Sequence, residues 1–246
     1  MDIYQVEDLG NDMLSLWSNV ARNDPLKMST RDIVVHTSTN VFAGSGTTSI
    51  TLRTIIQYLC GYPMIKDKLV KEIDDADRQG ILSNPITYKQ TQENIPYMEA
   101  VMKEALRIHP GIGLLLERHV PKGGAEICGK YIPGGTIVGV NAWATHHDPE
   151  VFPEPDKFIP ERWTDSSVEK KAEMERSFFA FGAGPRTCIG RYISFIEIQK
   201  VITELLRHFE VTLVDPEKEL EVSNVWMVQQ KGLVCNLKRR SPKCSK

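Results

Sequence analysis

The feature that most constrains this chain is a glycine-rich stretch around one cysteine, Phe-Gly-Ala-Gly-Pro-Arg-Thr-Cys-Ile-Gly at residues 181–190. Its glycines and its proline favour backbone conformations that other residues resist, so they predict a loop of fixed shape. An apolar face with helical spacing follows Gly190 and predicts a helix. Cys188 therefore stands just ahead of a helix start, where turn amides and the positive helix end stabilise a thiolate.

Two simple interpretations of this loop are a cysteine buried in a tight turn and a loop that binds a dinucleotide. The dinucleotide interpretation fails because no βαβ pattern frames Gly182 and Gly184, and because Pro185 follows at once. The spacing of Phe, Gly, Arg, Cys and Gly instead resembles every fixed position of the cysteine-ligand loop of the cytochrome P450 family. The resemblance implies that Cys188 is the axial ligand of a haem iron. It also implies that Phe181 packs over the sulfur side of the ring and that Arg186 pairs with a haem propionate.

Composition limits the other functions open to the chain. Its 246 residues are 41% hydrophobic and 25% charged, as in ordinary soluble globular proteins, and a net charge of -2 argues against a nucleic-acid partner. The five cysteines show no metal-binding spacing, which fits a reducing compartment that leaves Cys188 free for iron. We expect no transmembrane span, and the acidic start Met1–Asp8 is unlike a signal peptide.

A long helix is predicted from Ser29 to about Cys60. Ser29 and Asp32 resemble a capping box, and Gly61 and Pro63 end the pattern. The helix contains Ala-Gly-Ser-Gly-Thr-Thr-Ser at residues 43–49, although each glycine in mid-helix costs about 1 kcal/mol relative to alanine. Loosely packed helix is one explanation of this stretch.

The same stretch is similar to the oxygen-binding motif of the family. The resemblance implies that Thr47 is the alcohol of the oxygen pocket and that Ala43 and Gly44 line the distal haem face. Gly46 departs from the family, which usually has an acid there. Because glycine cannot relay a proton, we expect water to substitute and the coupling of electrons to product to fall.

A further helix is predicted with Asn94 as its cap and Pro96 in its first turn. Glu104 and Arg107 are three residues apart and share one face of it, where an exposed ion pair worth less than about 1 kcal/mol is the plain interpretation. Together with Pro-Glu-Arg-Trp at residues 160–163, however, they resemble the Glu-Arg-Arg cluster of the family. Arg162 is then its third member, and the cluster has a structural role.

Two later segments resemble parts of the family that touch substrate. Ile112, Gly113 and Leu114 follow the helix as an extended segment beside the haem, and Trp226 and Met227 belong to the last substrate-contact turn. Arg118 matches a position that contacts a propionate. A solvated charge is the alternative for Arg118, and a core position is the alternative for Trp226.

The adjacent residues His146 and His147 are expected to form a structural His-Asp-Pro turn rather than a metal site, because neighbouring side chains point apart. Arg191 and Lys200, on the helix after the cysteine loop, are candidates for docking an acidic electron donor. A solvated face is the alternative for both residues.

The resemblance implies a mainly α fold with small β-sheets, the C-terminal half of the cytochrome P450 fold. Residues 1–246 are then the haem-binding C-terminal portion, with the N-terminal half absent. Members of the family are about twice as long, so we expect membrane association only through an N-terminal anchor outside this chain.

The implied activity is that of a haem-thiolate monooxygenase, which inserts one oxygen atom from O2 into a lipophilic small molecule. Its cofactor is heme (iron protoporphyrin IX), and NADPH supplies electrons through NADPH-cytochrome P450 reductase. Pro-Glu-Arg-Trp, Val-Pro-Lys-Gly-Gly and Trp-Ala-Thr-His-His-Asp-Pro resemble fungal microsomal members, which implies the cytosolic face of the endoplasmic reticulum and secondary metabolism. Two alternatives stay open: a truncated, non-catalytic or partner-dependent remnant of such an enzyme, and a dinucleotide-dependent reductase.

Overall fold

The computed structural model describes residues 10–218 and 220–241. The acidic first residues and Cys244, both used in the sequence-based predictions, lie outside this range. The chain divides into two compact units, one ending at Gly46 and the other beginning at Thr47. Among the residues described, no helix combines the length and the apolar character needed to cross a membrane.

The first unit contains helix α1 (Met13–Asn23) and the first part of helix α2 (Thr30–Gly61). Asp12 caps α1 by accepting a hydrogen bond from the amide of Ser15 at 3.0 Å. The predicted capping box of α2 is confirmed: Asp32 accepts from the Ser29 amide at 2.8 Å, and the Ser29 hydroxyl accepts from the Asp32 amide at 3.3 Å. The helix continues unbroken through residues 43–49.

The second unit holds the rest of α2 and the remaining described α-helices. These are α3 (Pro63–Arg78), α4 (Tyr88–Asn94), α5 (Pro96–Ile108), α6 (Ala142–His146), α7 (Glu161–Asp165), α8 (Val168–Ser177) and α9 (Arg191–His208). Helix α5 is at the centre of this unit, with buried residues on every side of it. A helix surrounded in this way can hold charged groups only if they are paired within the core.

The strands are short and pair only with antiparallel partners. They are β1 (Leu116–His119), β2 (Ala125–Ile127), β3 (Lys130–Ile132), β4 (Ile137–Val140), β5 (Phe209–Leu213), β6 (Glu221–Val225), β7 (Met227–Lys231) and β8 (Cys235–Arg239). Within the described residues they form four two-stranded sheets, β1–β4, β2–β3, β5–β8 and β6–β7. The predicted class, mainly α with small β-sheets, is therefore confirmed. The described residues contain no parallel strand pair, which leaves the dinucleotide-dependent reductase without its βαβ unit.

Candidate active site

The cysteine loop is held in shape by its own backbone. Gly182 and Gly184 both have φ of 68°, a left-handed conformation that glycine adopts readily. The amide of Cys188 donates to the carbonyl of Phe181 at 2.9 Å, and the amide of Gly182 donates to that of Phe179 at 2.9 Å. Helix α9 begins three residues after Cys188, whose thiol is exposed and forms no disulfide. The loop thus presents one sulfur to the surface from a fixed backbone.

Behind the loop, Phe181 packs on the start of α9. Its ring meets that of Phe195 edge-on, with the centroids 5.3 Å apart. The guanidinium of Arg191 lies 5.6 Å from the first ring and 5.2 Å from the second. Arg191 is half-buried and packs against these rings under the loop, and its role as a docking cation for an electron donor stays a prediction.

The structure brings Glu104, Arg107 and Arg162 together in the core. Arg107 is held bidentately by Glu104, with Nε to Oε2 at 3.0 Å and Nη2 to Oε1 at 2.8 Å. Arg162 donates from Nε to Oε1 of the same carboxylate at 3.0 Å. Glu104 and Arg107 are fully buried and Arg162 is 7% exposed, so the cluster is not a surface ion pair.

The same cluster anchors the chain that leads from α6 to α7. Arg107 also donates to the carbonyls of His146, Pro155 and Lys157, at 2.7 to 3.0 Å. The indole of Trp163 donates to Glu104 at 2.9 Å, a contact that the sequence motif contained but that we did not predict. A lone tryptophan is ordinarily interpreted as a core residue, and only its position beside Arg162 signals a second role.

The two predicted substrate-contact segments lie side by side. The amide of Gly113 donates to the carbonyl of Trp226 at 3.0 Å, and the amide of Val228 donates to that of Gly111 at 2.9 Å. Ile112 and Met227 form an isolated antiparallel β-bridge. Trp226 is 50% exposed at the tip of the β6–β7 hairpin, so it is not a core residue, and Leu114 is 47% exposed.

Asn224 locks these two segments together. Its amide donates to the Gly113 carbonyl at 3.2 Å, and a Cβ built on Gly113 would lie only 2.4 Å from that amide nitrogen. A side chain at residue 113 would therefore overlap the Asn224 amide and force it to move, which glycine avoids.

Thr47 is half-buried on α2 at the first position of the second unit. A Cβ built on Gly111 would lie 4.0 Å from the Thr47 Cβ, which puts Thr47 beside the first substrate-contact segment. Ala43 and Gly44 lie on α2 within the first unit.

Two arginines flank this region with exposed guanidinium groups. Leu116 reaches the loop, with its Cδ1 3.6 Å from a Cβ built on Gly182. Arg118 shares a strand face with Leu116, because alternate residues of a strand point the same way. Arg118 and Arg186 are exposed, and the ion pairs found among the described residues involve neither of them.

Comparison with known proteins decides the family. A family model described as Cytochrome P450 matches residues 7–236. The chain belongs to the cytochrome P450 family.

Fungal cytochromes P450 are among its relatives. A cytochrome P450 monooxygenase of Aspergillus terreus is 43% identical over 202 residues, 82% of this chain and 41% of the relative. The cytochrome P450 monooxygenase cicH of Emericella nidulans is 40% identical over 210 residues, 85% and 42% of the two chains. The cytochrome P450 monooxygenase ACRTS1 of Alternaria alternata is 39% identical over 231 residues, 94% and 61% of the two chains. The chain thus spans 41% to 61% of the length of these relatives.

The residues at the site fit the haem of a cytochrome P450. A flat apolar ring with an iron and two carboxylates needs a thiolate, apolar surface and cations. The loop offers an exposed thiol with exposed apolar neighbours, Ile189 at 94% and Tyr192 at 73%. The two arginines offer exposed guanidinium groups, and that of Arg118 donates to the carbonyl of Glu117 at 2.7 Å.

Proposed function

We propose that this chain is the haem-binding portion of a haem-thiolate monooxygenase. The observation that carries the proposal is the cysteine loop, which holds an exposed, unpaired thiol on a fixed backbone ahead of α9. Cys188 would hold the iron, Phe181 would pack against the ring on the side of the sulfur, and Arg118 and Arg186 would pair with the propionates. When bound, the haem supplies an iron at which O2 is activated by electrons from outside the chain.

The remaining site residues bind substrate and move protons. Ile112, Gly113 and Leu114, with Trp226 and Met227, form an apolar wall that orients a lipophilic substrate. Thr47 would supply a hydroxyl in the oxygen pocket. One oxygen atom enters the substrate, and the other leaves as water after two electrons and two protons have been consumed.

The electrons come from NADPH through a cytochrome P450 reductase, and the enzyme works at the cytosolic face of the endoplasmic reticulum. Resemblance to microsomal members supports both statements. The fungal origin of the relatives supports a place in secondary metabolism. A fold-level analogy of this kind sets the substrate class, a lipophilic small molecule, and not the compound.

The experiment that tests the proposal is expression of the chain with haem and a spectrum of the reduced, carbon monoxide-treated protein. We expect the red-shifted band that thiolate ligation produces. Cys188→Ser should lose that band, whereas Cys128→Ser, at an exposed cysteine in the β2–β3 turn, should keep it. A folded but colourless parent, or a Cys188→Ser protein with the parent spectrum, would overturn the proposal.

A second candidate function is a haem-binding but non-catalytic protein, and Gly46 is the observation that favours it. The position that usually carries an acid has no group to transfer a proton. The same preparation separates the two candidates. A thiolate spectrum together with oxidised product at the expense of NADPH supports the monooxygenase, and the spectrum without product supports the second candidate.

A further inference from the structure

His146 is a fully buried histidine that holds two distant pieces of backbone at once. Its Nε2 lies 2.8 Å from the amide of Phe179, and its Nδ1 lies 3.0 Å from the carbonyl of Arg107. A backbone amide can only donate, so Nε2 is the acceptor. The proton of the neutral ring is therefore on Nδ1 and is donated to the Arg107 carbonyl.

The ring is also fixed in orientation. It stacks on Phe178, with the centroids 5.2 Å apart and the planes 9° apart, and it meets the ring of Phe152 edge-on at 6.2 Å. The carbonyl of His146 accepts from the guanidinium of Arg107 at 2.9 Å. Arg107 and His146 thus hold each other through two hydrogen bonds of opposite direction.

Phe179 lies two residues before the cysteine loop and is hydrogen-bonded to it. Its carbonyl accepts from Gly182, and the carbonyl of Phe181 accepts from Cys188, each at 2.9 Å. A short series of hydrogen bonds therefore runs from the buried carboxylate of Glu104 through Arg107 and His146 to the loop that carries the sulfur.

We propose that His146 is a positioning residue, which fixes the cysteine loop to helix α5 through the amide of Phe179. Its meaning for catalysis rests on the proposed haem-thiolate function, because the loop it fixes is the one that would hold the iron. A histidine suits the position because it carries one donor and one acceptor on opposite sides of a flat, stackable ring.

The first test compares His146→Leu with His147→Leu. His147 is the matched control: it is the next residue, it stacks on Trp143, and its Nδ1 bonds the Trp143 carbonyl at 2.9 Å, away from the loop. Hydrogen exchange is measured on the purified full chain. Because His146→Leu leaves the Phe179 amide without its acceptor, we expect exchange at residues 179–188 to rise about tenfold or more. Buried positions of α9 should change less, and His147→Leu should leave the loop at the parent rate.

The spectrum of the haem-loaded, reduced and carbon monoxide-treated proteins is the second readout. We expect His146→Leu to move intensity from the red-shifted thiolate band to the band of a protein without a thiolate ligand, and His147→Leu to keep the parent spectrum. Parent exchange rates in the loop of His146→Leu would overturn the proposal, as would a rise of equal size across α5 and α9.

Two further measurements keep the proposal falsifiable if His146→Leu does not fold. His146→Gln retains a donor and an acceptor, and we expect it to fold with a rise in exchange that is smaller than for His146→Leu and confined to the loop; a rise of equal size across α5 and α9 would count against the proposal. On the parent, nitrogen NMR of the His146 ring should show the neutral Nδ1–H form, and a proton on Nε2 would contradict it. A parent without the thiolate band would defeat the proposed function alone, since the exchange and NMR results do not depend on haem.

Discussion

At the scale of single residues, the buried carboxylate of Glu104 accepts hydrogen bonds from four other residues. Its two oxygens accept from both arginines of the cluster, from the indole of Trp163 and from the amide of Ile159 at 3.0 Å. A buried charge is tolerated only with such partners, because removing an ion from water costs several kcal/mol of desolvation free energy, about as much as the partners return. The spacing of the sequence predicted the pair Glu104 and Arg107, and the family resemblance added Arg162. The sequence could not predict the Ile159 amide, since a backbone donor leaves no mark in the side-chain pattern.

Replacing Glu104 by alanine should therefore strand two guanidinium groups in the core. We expect Glu104→Ala to lose about 3–5 kcal/mol of unfolding free energy and to be isolated as apoprotein. Denaturant titration and the haem-to-protein ratio measure the two effects. Glu99→Ala is the control on the same helix; its carboxylate pairs with Lys103 at 3.2 Å and is 46% exposed, so the loss should stay below about 1 kcal/mol. A normal haem content in Glu104→Ala would contradict this account.

At the scale of elements, the sequence predicted the long helices and missed shorter ones. Helix α4 was not predicted, although Thr87 and Gln90 form a capping box that marks its start. The prediction that Asn94 caps α5 was wrong because the preceding helix α4 was not predicted. Asn94 is the last residue of α4, its side chain donates to the Gln90 carbonyl at 3.0 Å, and Ile95 takes the cap position of α5.

The β6–β7 hairpin could not be predicted from turn residues in the sequence. Its tip is Trp226 with φ of 85°, a left-handed conformation in a residue that rarely adopts it. Turn prediction depends on glycine, asparagine or aspartate at such positions, so nothing in the local sequence indicated a hairpin. The bonds to residues 111–113 hold this tip in place, and a pattern along the chain does not show them.

The close contact between this hairpin and Gly113 gives the second prediction. Gly113→Ala should force the Asn224 side chain away and lose about 1–3 kcal/mol of unfolding free energy, because the new methyl group overlaps that amide. Gly111→Ala, whose methyl group would meet Thr47 at an ordinary 4.0 Å, should cost less. In an Asn224→Ala background the Gly113→Ala penalty should shrink, as a double-mutant cycle would show. Equal penalties with and without Asn224 would contradict the proposed overlap.

At the scale of the whole molecule, titration of His146 should make the unfolding free energy fall in acid. Burial lowers its pKa to about 3 from an ordinary value of 6.5, and the nearby charge of Arg107 acts in the same direction. The unfolded chain therefore binds a proton more readily than the folded chain between these values. The stability contributed by the neutral ring is complete above about pH 6.5 and is lost as the pH falls toward 3.

We expect the difference in unfolding free energy between the parent and His146→Gln to narrow as the solution is acidified from pH 6 to pH 4. The slope should approach about 1.4 kcal/mol per pH unit, the value for one proton. Parallel denaturant titrations across this range measure it. A difference independent of pH would show that the ring titrates alike in both states.

The fold class could be predicted from the sequence, but the division of the chain into two compact units could not. Helical spacing and capping residues predicted individual helices, and the family resemblance supplied the mainly α class with its small sheets. The boundary between Gly46 and Thr47 falls inside α2, where the sequence reads as uninterrupted helix. Compact units are set by contacts between distant segments, and periodicity along one helix carries no information about those contacts.

The Glu104 carboxylate, which Arg107 and Arg162 share, also bears on which substitutions the gene can accumulate. A codon change that removes Glu104 leaves both arginines as uncompensated ions in a dry interior, so a neutral path to an apolar replacement would need several substitutions together. We therefore expect codons 58 positions apart along the chain to restrict each other's substitutions.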